Sequence, residues 1–149
     1  MKVKSFFAVA VVLLIGAGVS MRSQETRPAA AKSSDATRIA RGRYIVEDLS
    51  VCWQCHSPRD ASGEPDRSHW LEGAAVWLKS AAPTQDWPLQ APRLAGTPPA
   101  GDAEMVRVLT TGIWIDGKPL RPPMPQFRMT QEDAEAVVAY LRSLTPGRD

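Results

Sequence analysis

Cysteine is scarce in this chain: Cys52 and Cys55 are the only two among 149 residues, and they lie three apart. Small exported domains short of core commonly rely on several disulfides, and one neighbouring pair excludes such a framework. Charge of one sign is missing too. The formal net charge is +2, and setting Lys2 and Lys4 aside leaves 16 basic against 16 acidic side chains. No concentrated basic stripe exists, which sets nucleic-acid binding aside. Beyond residue 19 there is no long apolar run, no internal repeat, no heptad pattern and no sustained alternation that marks a sheet.

Proline and glycine are plentiful, at 13 and 10, so much of the chain reads as loop. With 44% apolar and 23% charged residues it has the profile of a soluble globular protein. A small, loop-rich domain is short of core area, and a large prosthetic group at its centre would relieve the shortage. The front end is different. Lys2 and Lys4 precede an apolar run from Phe6 to Val19, the pattern of a secretory leader and short for a membrane span. Residues 1–20 are therefore expected to be a signal peptide or an N-terminal anchor, the second case giving a membrane tether through 3–19. Cleavage candidates are Gly18 and Ser20, or Ala29 and Ala31. Either outcome exports the domain, and the periplasm is the expected compartment. Residues 21–35 are polar, Ala-rich and aperiodic, and read as a tether to a domain over 36–149.

The domain opens with a helix capped near Asp35 or Thr37, whose Ile39, Tyr44, Val46 and Leu49 give an apolar face. From Ser57 to Gln90 turn dipeptides dominate, with one short apolar piece at Ala74–Leu78 of strand or helical-turn character. A middle helix is expected from Asp102 as N-cap to Gly112 in a left-handed closing position. The last helix is the clearest. Thr130 caps it, Glu132 and Asp133 suit the dipole, and Ala134, Val137, Val138, Leu141 and Leu144 form one stripe.

Cys52-Trp53-Gln54-Cys55-His56 is Cys-x-x-Cys-His, the attachment pattern of c-type haem. Each thiol adds to one of two vinyl groups on a porphyrin edge, so both sulfurs must face the same way. On a helical turn, positions i, i+3 and i+4 share a face, which also aims His56 at the iron. Three rival readings exist. A thioredoxin-like pair needs a preceding strand, and none is evident. Zinc needs four ligands, with only His69 left as an obvious fourth. A plain disulfide would leave His56 incidental.

A second axial ligand is the next question, and methionine is the one that raises the potential. Met124 sits in Arg121-Pro122-Pro123-Met124-Pro125, where proline forbids helix and stiffens the loop. Met105 shares a helix face with Val106 and Leu109 and reads as core filler. Met129 precedes the Thr130 cap. Met124 is the expected ligand, with Met129, Met105 and His69 as the other candidates. Trp70, Trp77, Trp87 and Trp114 read first as core packing with satisfied indole N–H groups. Their other readings are a wall at a haem edge, a propionate partner or a docking surface.

With these residues in place, over roughly 37–146 the chain resembles the monohaem class I cytochrome c family, closest to bacterial members that serve periplasmic dehydrogenases. The resemblance is carried by Arg41-Gly42-Arg43-Tyr44, Cys52–His56, Ala91-Pro92-Arg93-Leu94-Ala95-Gly96, Thr111-Gly112, Pro123-Met124-Pro125 and Ala139-Tyr140-Leu141. It implies an all-α fold of three main helices and long loops around one covalent haem, with first and last helices crossing at Gly42 and the Val137–Leu141 face. It implies that the Pro92 carbonyl accepts the hydrogen bond of the proximal histidine. The implied function is one-electron transfer rather than catalysis. The chain would be a carrier or subunit whose redox partner is a dehydrogenase, an oxidase or another cytochrome. The alternative is a haem enzyme or ligand sensor with an open iron position.

Overall fold

The computed structural model describes residues 34–81 and 87–145. The expected leader, and all of the expected tether except Ser34 and Asp35, lie outside the described residues. Ser34 takes the cap position of helix α1, Asp35–Tyr44, by accepting from the Thr37 amide at 3.3 Å. Asp35 in the first turn and Arg41 and Arg43 in the last complement the helix dipole. The helix does not stop at Tyr44. It widens into a π turn over Ile45–Leu49, closed by the Ser50 amide on the Ile45 carbonyl at 2.7 Å. Ile45 and Val46 are thereby turned fully inward.

Among the described residues there are four α-helices where three main ones were expected. The addition is α2, Trp53–His56, a four-residue turn that carries most of the cysteine motif. Helix α3, Asp102–Thr111, begins at the residue expected for its cap, because Gly101 takes the cap position and its amide donates to Glu104 Oε2 at 2.9 Å. Gly112 closes it with φ of 70°. Helix α4, Gln131–Ser143, is capped by the Thr130 hydroxyl, which accepts from the Asp133 amide at 3.1 Å. A 3-10 turn spans Arg67–His69. Two strands, β1 at Ala74–Ala75 and β2 at Gln90–Ala91, pair antiparallel with Ala74 opposite Ala91. Two-residue strands are too short to leave an alternation in the sequence, which is why no sheet was expected. Among the described residues no helix is long and apolar enough to cross a membrane.

The core lies where α1 crosses α4. Ile45 and Val46 meet Ala134, Val137, Val138, Tyr140 and Leu141, with Met105 and Leu109 of α3 and Leu71, Leu94 and Ala95 of the loops completing the cluster. Gly42 makes the crossing possible. A Cβ there would stand 1.9 Å from the Ala136 carbonyl oxygen and 2.8 Å from the Tyr140 Cβ. The close approach on α4 thus falls at Tyr140, within the expected Val137–Leu141 face, and at Ala136 just before it. Outside the core, Arg41 Nε holds Asp133 Oδ1 at 2.9 Å across the same crossing. Arg142 Nε ties α4 to α3 through Asp102 Oδ1 at 2.7 Å.

Gly42→Ala therefore destabilises the domain by about 3 kcal/mol or more, since neither backbone has room to retreat; urea unfolding measures it, and a loss below about 0.5 kcal/mol would refute the crossing. Arg41 holds the Asp133 carboxyl below the usual carboxylate range, chiefly through their hydrogen bond. A depressed folded-state value means stability present above about pH 4 and lost as pH falls through it. Asp133→Asn accordingly gives a flatter fall in melting temperature between about pH 4 and pH 2 than the unaltered chain, and parallel curves would disprove the linkage.

Candidate functional site

The π turn aims the chain at the motif. After Ser50, Val51 takes φ of 44°, a region that β-branched residues rarely enter. That kink lets the Cys52 amide reach back to the Val46 carbonyl at 3.0 Å, so the next turn starts from a fixed point. The His56 amide then bonds the Cys52 carbonyl at 3.0 Å and the Cys55 amide the same carbonyl at 3.3 Å. Cys52, Cys55 and His56 stand on one turn. Both thiols are free and half-buried, and burial pushes the Cys52 thiol up to about 11.

His56 is 6% exposed, and its Nδ1 lies 2.7 Å from the Pro92 carbonyl oxygen. A carbonyl only accepts, so Nδ1–H is the donor and Nε2 keeps a free lone pair. Burial lowers the affinity of the ring for a second proton more than the Pro92 bond restores it. The ring is neutral, the form in which imidazole binds metal. Two adjacent free thiols and a neutral imidazole with its far nitrogen unengaged fit a haem bonded through thioethers and ligated by histidine.

Pro92 is 36 positions from His56 and is brought in by the segment between them. Leu71 is fully buried with φ of 59°. Its amide donates to the Ser57 hydroxyl at 2.9 Å, and its carbonyl receives the Leu94 and Ala95 amides at 2.8 and 3.0 Å. Gly73, with φ of 88°, donates to the His56 carbonyl at 2.8 Å. A Cβ on Gly73 would meet the Ala91 oxygen and the Arg93 nitrogen at 2.9 Å each. The backbone of 71–73 is therefore sandwiched between the histidine and the Pro92 loop. Sequence reading missed Ser57, Leu71 and Gly73; the isolated glycine among turn residues was the available signal.

The methionines separate. Met105 is 6% exposed in the core and Met129 packs against it, whereas Met124 is half-buried in a turn where its amide bonds the Arg121 carbonyl at 3.1 Å. Met124 lies outside that hydrophobic cluster. His69 faces Asp66, with Nδ1 at 2.8 Å from Oδ2. Ser68 and then His69 hold the Asp66 carboxyl at about 2. Among the described residues no group of three or more His, Cys, Asp or Glu is placed to hold a metal ion. The tryptophans also diverge. The Trp87 indole donates to the Leu78 carbonyl at 2.9 Å, and Trp114 is half-buried. Trp77 departs from the core expectation, being 52% exposed with its N–H on the Gln54 carbonyl at 3.1 Å.

Trp70 stacks on Trp53 with centroids 5.7 Å apart, beside the core. Its buried N–H has no hydrogen-bond partner among the described residues, although the ring edge lies close enough to the Tyr140 hydroxyl to influence its ionisation. Tyr140 donates to Glu47 Oε1, and the Trp53 indole donates to the Glu47 carbonyl at 2.9 Å. Burial, then Glu47, pushes the Tyr140 hydroxyl up. Glu47 thus links α4 to the cysteine turn, a role invisible in its sequence context.

The family model described as Cytochrome c matches residues 39–145. The chain is 29% identical over 114 residues to the fructose dehydrogenase cytochrome subunit of Gluconobacter japonicus, covering 70% of this chain and 21% of that protein. It is 32% identical over 112 residues to a nicotinate dehydrogenase subunit of Pseudomonas putida, covering 70% of this chain and 9% of that protein. A shorter match, 54% over 33 residues, joins it to a diheme cytochrome c-type protein of Cereibacter sphaeroides, covering 22% of this chain and 11% of that protein. The chain spans about a fifth or less of each relative's length.

Gly73→Ala adds a side chain where φ is positive and backbone crowds on two sides. It costs about 2 kcal/mol or more in thermal unfolding. It also loosens the His56–Pro92 bond, seen as faster solvent exchange of the His56 Nδ1 proton by NMR; wild-type exchange would refute the sandwich.

Proposed function

Because the chain belongs to the cytochrome c family, we propose that it carries one haem and passes single electrons for an exported oxidoreductase. Electron transfer on covalent haem c is the family's chemistry, and a redox partner protein follows from it. When bound, the haem supplies a ferric–ferrous couple. The chain's own residues do the rest. Cys52 and Cys55 are the attachment thiols and His56 the proximal ligand, held by the Pro92 carbonyl. That bond fixes ring orientation and tautomer and raises the basicity of Nε2 toward iron. Met124 is the distal ligand; its supports are the proline-stiffened loop and a position outside the core cluster that takes up Met105 and Met129. A thioether ligand raises the potential. No acid, base or nucleophile is required, so the chain is a carrier or electron-transfer subunit rather than an enzyme.

Residues 1–20 are the leader or anchor, 21–35 the tether and 36–149 the haem domain, placed in the periplasm. Its partner is a dehydrogenase, an oxidase or another cytochrome. The observation that carries the reading is the single turn bearing two free thiols and a neutral, Pro92-bonded imidazole.

Protein made by a cell competent in cytochrome maturation is expected to keep one haem through acid extraction, read as added mass. Colourless protein without that mass sinks the reading. Replacing Met124 by alanine leaves attachment intact, removes the ferric near-infrared sulfur-to-iron band, lowers the potential and lets carbon monoxide bind the ferrous form. A band that survives the substitution removes Met124 from the ligand set, and rapid carbon monoxide binding by the unaltered protein favours the open-iron reading.

A further inference from the structure

Soluble proteins hide most of a tryptophan, yet Trp77 is 52% exposed. It is not loose. Its Nε1–H donates to the Gln54 carbonyl at 3.1 Å, and Gln54 sits between the two cysteines. The Arg59 guanidinium stands 5.2 Å from the centroid of the same ring. It bonds the Gly63 carbonyl at 2.8 Å and the Gln54 carbonyl at 3.5 Å. Those partners are neutral, and among the described residues no carboxylate pairs with Arg59. Asp60, its neighbour, turns its carboxylate to the Ser62 amide and hydroxyl and the Glu64 amide of its own loop. Lys79, two residues past Trp77, lies on the same stretch of chain.

Tryptophan and arginine are the residues that dominate interface hot spots, and a ring already fixed by its N–H loses little entropy on contact. A cation over the ring with no carboxylate partner among the described residues states which charge it would meet. Position states which kind of protein. Trp77 is bonded to the turn that bears Cys52 and Cys55, so whatever rests on it stands next to the haem-attachment segment.

We propose that Trp77 and Arg59 form the docking point for a redox partner protein that presents a carboxylate beside an apolar patch. The proposal rests on the haem reading above and names the chemistry of its partner. The indole packs on the apolar patch and the guanidinium takes the carboxylate. The exchange is of one electron, lost by the reduced flavin or haem of the partner and gained by this chain, with no bond made or broken.

The test uses the full haem-loaded protein and, as probe, a small acidic flavoprotein in its hydroquinone form, with rates normalised to haem content. The Trp77 indole NMR signal is expected to shift on titration, and the second-order rate to fall as salt rises. Trp77→Ala and Arg59→Gln each slow the reaction by about tenfold at low salt, and Arg59→Lys keeps the salt dependence. Wild-type rates in both variants, or an unmoved Trp77 signal, would overturn the proposal. Protein that lacks haem altogether would instead sink the reading beneath it, so the two failures are told apart before any rate is measured.

Discussion

The hydrogen bond from the buried His56 imidazole to the Pro92 carbonyl is the constraint on which the rest of the site depends. It joins residues 36 positions apart at 2.7 Å. Ordering so long a connection has an entropic cost, which loop closure alone makes grow only slowly with length. The chain meets that cost with several short backbone bonds rather than a second core. Leu71 receives two amides from the 94–95 segment, Gly73 reaches the His56 carbonyl, and Ser57 satisfies the Leu71 amide. Two special backbone positions, Leu71 and Gly73, are tolerated because each lets a polar group find a partner inside the protein. The outcome is electronic as well as structural. Burial lowers the ring's affinity for a second proton more than the Pro92 bond raises it, and with Nδ1–H given to Pro92 the Nε2 lone pair is the one left for a ligand.

The α1–α4 crossing supplies the rigid base against which that loop is held. Gly42 brings the two backbones together, and the π turn then changes the helical phase so that Ile45 and Val46 face the core. π turns of this sort recur at functional sites, where a single helix must serve two geometries. Here the same turn places the Glu47 carboxylate against Tyr140 and the Glu47 carbonyl against Trp53. One residue therefore connects the structural crossing to the cysteine turn. The stacked Trp53 and Trp70 carry the connection on to Leu71 and back to His56.

The segment between His56 and Pro92 does more than close a circuit. Its inner residues hold the histidine, while Trp77 and Arg59 on its outer side meet the Gln54 carbonyl. A length of chain that would be costly as plain loop thus serves two faces of one short helix. The relatives place similar sequence inside much longer proteins, and an outward-facing aromatic contact is of most use to a domain that must meet another protein.

Local pattern made some of this legible. Cys52, Cys55 and His56 announce themselves because covalent spacing on a single turn needs no distant residue. The Thr130 cap, the α4 stripe and the Gly112 closure are readable for the same reason, since helical period and end chemistry act within a few residues. What the residues alone left open was every relation across a loop. That Leu71 and Val51 adopt left-handed backbone, that the Ala136 carbonyl is what stands against Gly42, and that Trp77 stays half in solvent were decided only by tertiary structure. The reason is physical. Turn-rich segments have no periodicity to encode which face they show, so their conformation is chosen by the buried polar groups they must satisfy once the helices have packed.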